Sequence, residues 1–205
     1  MFLLLPLIIA AWCFYKKDTR IISVIFIGLI AGVLVCGFKA FFLYSHRIIP
    51  YSFSENVVYL LVRQTLLPVA LVYGLFCLWS KDTFEFKAES FCPLLLSFYA
   101  LYLPYTIIST ADHIFTTFSL LIKPCLFCAM ILILAMFMCQ LQKSVAQKKT
   151  AFAVLWGVLF LAAVVIPSFI EGMFMMDMSY FLVIILSVIY CAAAPVLFFL
   201  KKKSA

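Results

Sequence analysis

Tyr99–Cys128 reads YALYLPYTIISTADHIFTTFSLLIKPCLFC. Two apolar arms flank a short turn that carries Asp112 and His113 but no Lys or Arg, and Pro104 and Pro124 stand on either side of that turn. In the first arm Tyr99, Tyr102, Thr106, Ser109 and His113 recur at steps of three and four. That spacing places them in one polar stripe on an otherwise apolar helix. The second arm opens with Lys123, Pro124, Cys125 and Cys128. The pattern predicts the end of one membrane helix, a turn, and the start of the next.

Composition extends this reading to the whole chain. Of its 205 residues, 68% are hydrophobic and 11% charged, whereas a soluble domain is roughly half apolar and a quarter charged. Such an excess implies lipid as the solvent. A membrane-spanning backbone must satisfy its own hydrogen bonds, which leaves helices or a closed barrel. The apolar runs are about twenty residues long and do not alternate, so helices are expected. No hydrophilic block is long enough for a soluble domain, and residues 1–205 read as one all-α, polytopic transmembrane bundle.

Seven spans are expected, at Met1–Tyr15, Ile21–Tyr44, Val57–Trp79, Phe91–Thr110, Phe118–Leu141, Ala151–Ile170 and Ser179–Leu200. The first is short for a roughly 30 Å hydrocarbon core. It lacks a positive leader and a small-residue cleavage site, and is read as inserted, with an interfacial helix as the alternative. Lys and Arg alternate between loops. Lys16, Lys17 and Arg20 follow span one, Lys81 and Lys87 span three, Lys143, Lys148 and Lys149 span five, and Lys201–Lys203 close the chain. The intervening loops hold only Arg47. The positive-inside rule then places the N-terminus outside and the C-terminus in the cytoplasm, the inner membrane if the source is bacterial. The net charge of +7 is explained by this anchoring, and no nucleic-acid partner is expected.

In that topology the ionisable residues of the spans fall in one layer, the outer third. Lys39, Arg63 and Lys123 lie within it, with Asp112, His113 and Glu171 at its rim. Charges inside the bilayer cost a few kcal/mol and usually face a bundle interior or a wet cavity. One reading is an outward-opening pocket for an anionic group, with Tyr99, Tyr102, Thr106 and Ser109 as its wall. The other is that the cations snorkel to the headgroups. Lys39 follows Gly28 by eleven residues, about three turns, so it shares the azimuth of the Gly28–Gly32 GxxxG pair and should face protein.

Two further motifs carry chemistry. Cys125-Leu-Phe-Cys128 has the CxxC spacing of a thiol oxidoreductase, next to Lys123 and a helix start that would favour thiolate. The eight cysteines, mostly scattered through apolar runs, also read as small hydrophobes. Asp112 and His113 are the residues that a headgroup hydrolase would use, but neighbours on a helix point about 100° apart, and no HExxH or second nearby histidine accompanies them. The methionines at 173, 175, 176 and 178 read as a hydrophobic turn more readily than as a soft-metal site. Neither metal nor cofactor is expected.

The expectation is therefore a transport-related membrane component that binds a small or lipidic anion from the outer side. The chain has no P-loop, so its energy would come from ion coupling or from partner membrane subunits, an ATPase among them. The alternatives are an intramembrane enzyme, by thiol exchange or headgroup hydrolysis, and a non-catalytic subunit that docks a larger complex through its glycine face.

Overall fold

A computed structural model of the chain describes residues 6–10, 18–42, 52–109 and 117–203. Among these residues the structure is helical and contains no strand. Among the described residues six helices are long and apolar enough to cross a membrane. They are α1 (Arg20–Phe42), α2 (Phe53–Trp79), α3 (Phe84–Ser109), α4 (Phe118–Ala146), α5 (Thr150–Met175) and α6 (Tyr180–Lys203). The expected span Met1–Tyr15 lies mostly outside the described residues. Its residues 6–10 are helical, with Ala10 buried in the core.

Helix α3 is the centre. Within its spanning stretch 72% of residues are buried, against 22% for α1 and α6. It packs most extensively on α1, and also on α4 and α2, while α4 carries α5 and α6 on its other sides. The helices on the outside are apolar nearly all round, because lipid accepts the same side chains as a protein interior.

Glycine sets the α1–α3 contact. A Cβ on Gly28 would lie 2.0 Å from Ser97 Oγ and 2.5 Å from the Leu94 carbonyl, and one on Gly32 would be 3.1 Å from Leu101 Cβ. The GxxxG face is thus filled by α3 of the same chain and is not a surface left open to a partner. Gly172 does the same between α5 and α2, where a Cβ would meet Val57 Cγ2 at 2.8 Å.

Several helix ends differ from the sequence expectation. The expected span began at Phe91, yet α3 begins at Phe84. Thr83 Oγ1 accepts from Phe86 N at 3.4 Å, Glu85 sits favourably in the first turn, and Phe86 and Ala88 are buried. Glu171 was expected to cap its span, but α5 runs on to Met175, so Glu171 lies a full turn inside. Helix α2 starts at Phe53 under a capping box, in which Ser52 Oγ accepts from Glu55 N and Glu55 Oε2 from Ser52 N. Asp18 Oδ1 accepts from Arg20 N at 2.9 Å at the start of α1. The side-chain hydrogen bond from Arg20, followed by this backbone bond, holds the Asp18 carboxyl below its ordinary pKa.

Candidate functional site

The site is organised by a defect in α2. Leu61–Leu66 is a turn of π-helix, and it ends where Pro68 stands one residue inside the following α-helical segment. Pro68 has no N–H, so it cannot donate to the Gln64 carbonyl as the helical residue four places on would. The N–H of Leu67, the helical donor for the Arg63 carbonyl, reaches Val62 instead. Both acceptors are supplied from α3. Tyr99 Oη donates to Gln64 O at 2.8 Å and Tyr102 Oη to Arg63 O at 3.1 Å. A buried carbonyl in lipid needs a donor from the protein, and these two tyrosines provide it.

Around that joint the structure gathers residues from five helices. Lys39 Nζ on α1 donates to the Tyr102 hydroxyl, lies 3.5 Å from Arg63 O and sits 4.5 Å from the centre of the Tyr102 ring. Arg63 Nη1 donates to the Tyr59 hydroxyl one turn earlier on α2. Phe98 stacks on Tyr102 at 5.1 Å and meets Tyr99 edge-on at 5.1 Å, while Tyr99 tilts against Phe127 at 5.2 Å.

On the other side of α2, Lys123 Nζ and Glu171 Oε1 form an ion pair at 2.6 Å, with side chains only 6% and 10% exposed. Helix α4 reaches this point through a second π turn, Phe118–Ile122, again just before an X-Pro step at Lys123-Pro124. Gln64 Nε2 is 3.5 Å from the same carboxylate oxygen. The Gln64 Oε1 and Thr65 Oγ1 atoms are buried without hydrogen-bond partners. π turns widen a helix locally and are frequent at functional positions. This one turns Gln64 and Thr65 into the bundle in succession.

Lys39, Arg63, Tyr99, Tyr102, Lys123 and Glu171 therefore meet in one layer. Their roles differ from the sequence expectation in two respects. Glu171 stands in the interior and not at a rim, and it neutralises Lys123, which neither snorkels nor remains a spare cation. Tyr99 and Tyr102 are fully buried, and their hydroxyls serve backbone carbonyls. Thr106 is buried with Oγ1 donating to Leu103 O at 2.8 Å in its own helix, and Ser109 ends α3. Asp112 and His113 lie outside the described residues.

Among the described residues the charge in the layer is unbalanced. With Lys123 and Glu171 cancelling, Lys39 and Arg63 remain, both half-buried. Among the described residues no carboxylate lies within ion-pair distance of either. Sequence reading missed Gln64, Thr65 and Tyr59. The signal that marks them is Pro68, four residues after Gln64, which announces an unsatisfied carbonyl there.

The other motifs are placed apart from this layer or without further chemistry. Cys125 and Cys128 are free thiols, the first exposed on the helix surface and the second buried. Met175, Met176 and Met178 are exposed at the α5–α6 turn, where Met176 Sδ accepts from Asn56 Nδ2 at 3.3 Å. Among the described residues no group of three His, Cys, Asp or Glu converges as a metal site. Comparisons with protein-family models, curated proteins and solved structures find no match to this chain.

Proposed function

We propose that the protein is a transport-related integral membrane component that binds a small or lipidic anion through Lys39 and Arg63. The observation that carries this reading is the pair of half-buried cations on adjacent helices, α1 and α2, with no carboxylate partner among the described residues. Cations at membrane depth generally find a counter-charge, and a bound anion would be the counter-charge that the described residues do not supply. The π turn before Pro68 supports the reading in a second way, because π turns inside α-helices are frequent at functional sites.

The finer topology belongs to the same proposal. Seven crossings, with the N-terminus outside and the C-terminus cytoplasmic, put the Lys39–Arg63 layer near the outer surface. Energy for transport would then come from ion coupling or from partner subunits, an ATPase among them.

Binding by the purified protein tests the site. Lys39→Ala and Arg63→Ala should each weaken retention of an anionic ligand, while Lys143→Ala, in the last turns of Lys123–Ala146, should not. Unchanged binding in both site variants removes the assignment. A tagged purification in mild detergent followed by native mass spectrometry tests the partners. A second membrane chain or an ATPase in fixed ratio is the expected result, and a lone chain overturns the subunit part.

A further inference from the structure

An apolar groove ends one helical turn short of Lys39 on α1 and about two turns short of Arg63 on α2. It lies between α1 and α2, encloses about 670 Å³, and is walled by Ile27, Ala31 and Leu34 on one side and Leu71, Leu75 and Trp79 on the other. Its volume is in the range of small-molecule sites. Both helices pack on α3, and the groove is the seam between them on the side away from α4 to α6.

The two ends of this seam differ. At one end Arg20 lines the groove beside Asp82, but its guanidinium is already engaged. It lies 2.6 Å from Asp18 and 3.8 Å from Asp82, and 4.4 Å from the centre of the Phe86 ring. At the other end the groove stops at Val35, and Lys39 stands four residues further along α1 on the same face, about 6 Å on. Across the seam Arg63 precedes Leu71 by two helical turns, about 12 Å. The groove thus starts at a satisfied ion cluster and points along both helices towards two cations that have no carboxylate partner among the described residues.

Depth adds a second argument. Counted from Arg20 at one boundary, Lys39 is about 28 Å along α1, and counted from Trp79, Arg63 is about 24 Å along α2. A hydrocarbon core of roughly 30 Å puts both at or just inside the opposite boundary, next to the headgroup layer. The groove between Arg20 and Leu34 spans about 21 Å, more than the half-thickness of that core, so it accepts an acyl chain over most of its length.

From this geometry we infer that the ligand is an anionic phospholipid, its phosphate held by Lys39 and Arg63 and one acyl chain lying in the α1–α2 groove. The inference rests on the anion site proposed above and narrows its ligand to a lipid. A soluble anion would use the two cations and leave the groove without purpose. A zwitterionic lipid would bring its own cation to a place that already has two.

The test uses the full-length protein in phosphatidylcholine bilayers doped with photoactivatable phosphatidylglycerol or, separately, photoactivatable phosphatidylcholine. The expected result is several-fold more labelling by the phosphatidylglycerol probe, with adducts at Leu34, Leu71 and Leu75. Unlabelled phosphatidylglycerol should compete, whereas glycerol phosphate, the headgroup without a chain, should not at equal concentration. Ala31→Phe fills the groove and should reduce labelling by this probe, and Lys39→Gln with Arg63→Gln should erase the preference over phosphatidylcholine. The wild-type competition needs no variant to fold.

Equal labelling by the two probes in the wild type means annular lipid only and overturns the inference. Should glycerol phosphate then still bind, and be lost in Lys39→Gln/Arg63→Gln, the anion site stands without the lipid. Should neither bind, both fail. A phosphatidylglycerol preference that survives the double substitution also overturns the placement of the headgroup.

Discussion

The hydroxyl of Tyr190 in α6 donates at 2.8 Å to the carbonyl oxygen of Ala163 in α5. Ala163 stands four residues before Pro167, so its carbonyl has lost the helical N–H that would otherwise meet it. Tyr99 does the same for Gln64, four residues before Pro68. The chain thus keeps prolines inside two membrane helices by lending each vacated carbonyl a tyrosine from a neighbour. Tyr102, which serves Arg63 O, extends the device and carries Lys39 into the site.

Tyr190→Phe should destabilise the bundle by about 1 kcal/mol, the usual net value of such a bond. In a Pro167→Ala background the cost should fall towards zero, because residue 167 regains an N–H for Ala163. Unfolding by SDS titration in mixed micelles measures the cycle. An equal cost in both backgrounds shows that the tyrosine is not there for the vacated carbonyl.

The Lys123–Glu171 pair should behave as a buried unit. Lys123→Met or Glu171→Leu alone strands a charge in the interior and should cost about 3–5 kcal/mol, whereas the two together should recover most of that loss. The same titration reads it. Additive losses in the double variant would place the two charges in wetter surroundings than 6% and 10% exposure implies.

Glycine positions should separate cleanly. Gly28→Ala forces a methyl against the Leu94 carbonyl at 2.5 Å, and should cost about 1–3 kcal/mol through overpacking. Ser97→Ala removes the other clash but not this one, so it should rescue only in part. Gly37, with nothing within 4 Å of its added Cβ, should tolerate alanine and gain about 0.5–1 kcal/mol. Thermal unfolding in one mild detergent ranks the three.

Helices α4 and α5 both end in a left-handed residue that is not glycine. Lys148 has φ 55° and Asp177 φ 50°. In each, the next residue's N–H reaches back five places, Lys149 to Ser144 at 2.9 Å and Met178 to Met173 at 3.1 Å. This is the Schellman arrangement, in which glycine avoids the Cβ penalty. Lys148→Gly and Asp177→Gly should each stabilise by about 1 kcal/mol. A loss at either position would mean that its side chain contributes more than its backbone strain costs.

That this chain is an apolar helical bundle follows from its residues alone, because long apolar runs without strand alternation satisfy their backbone hydrogen bonds in lipid as helices. That Lys39, Arg63 and Lys123 share one layer follows in the same way, since alternating spans turn position along the chain into depth. Periodicity even gave the azimuth of Lys39 relative to Gly28. What each side chain meets became legible with the packed helices. That Glu171 cancels Lys123 across 48 residues of chain, that α3 fills the Gly28–Gly32 face, and that Tyr99 and Tyr190 answer to prolines on other helices all depend on how helices are rotated against one another. In a membrane that rotation is hard to read from sequence, because lipid and protein interior accept the same apolar residues, and a face turned to one looks like a face turned to the other.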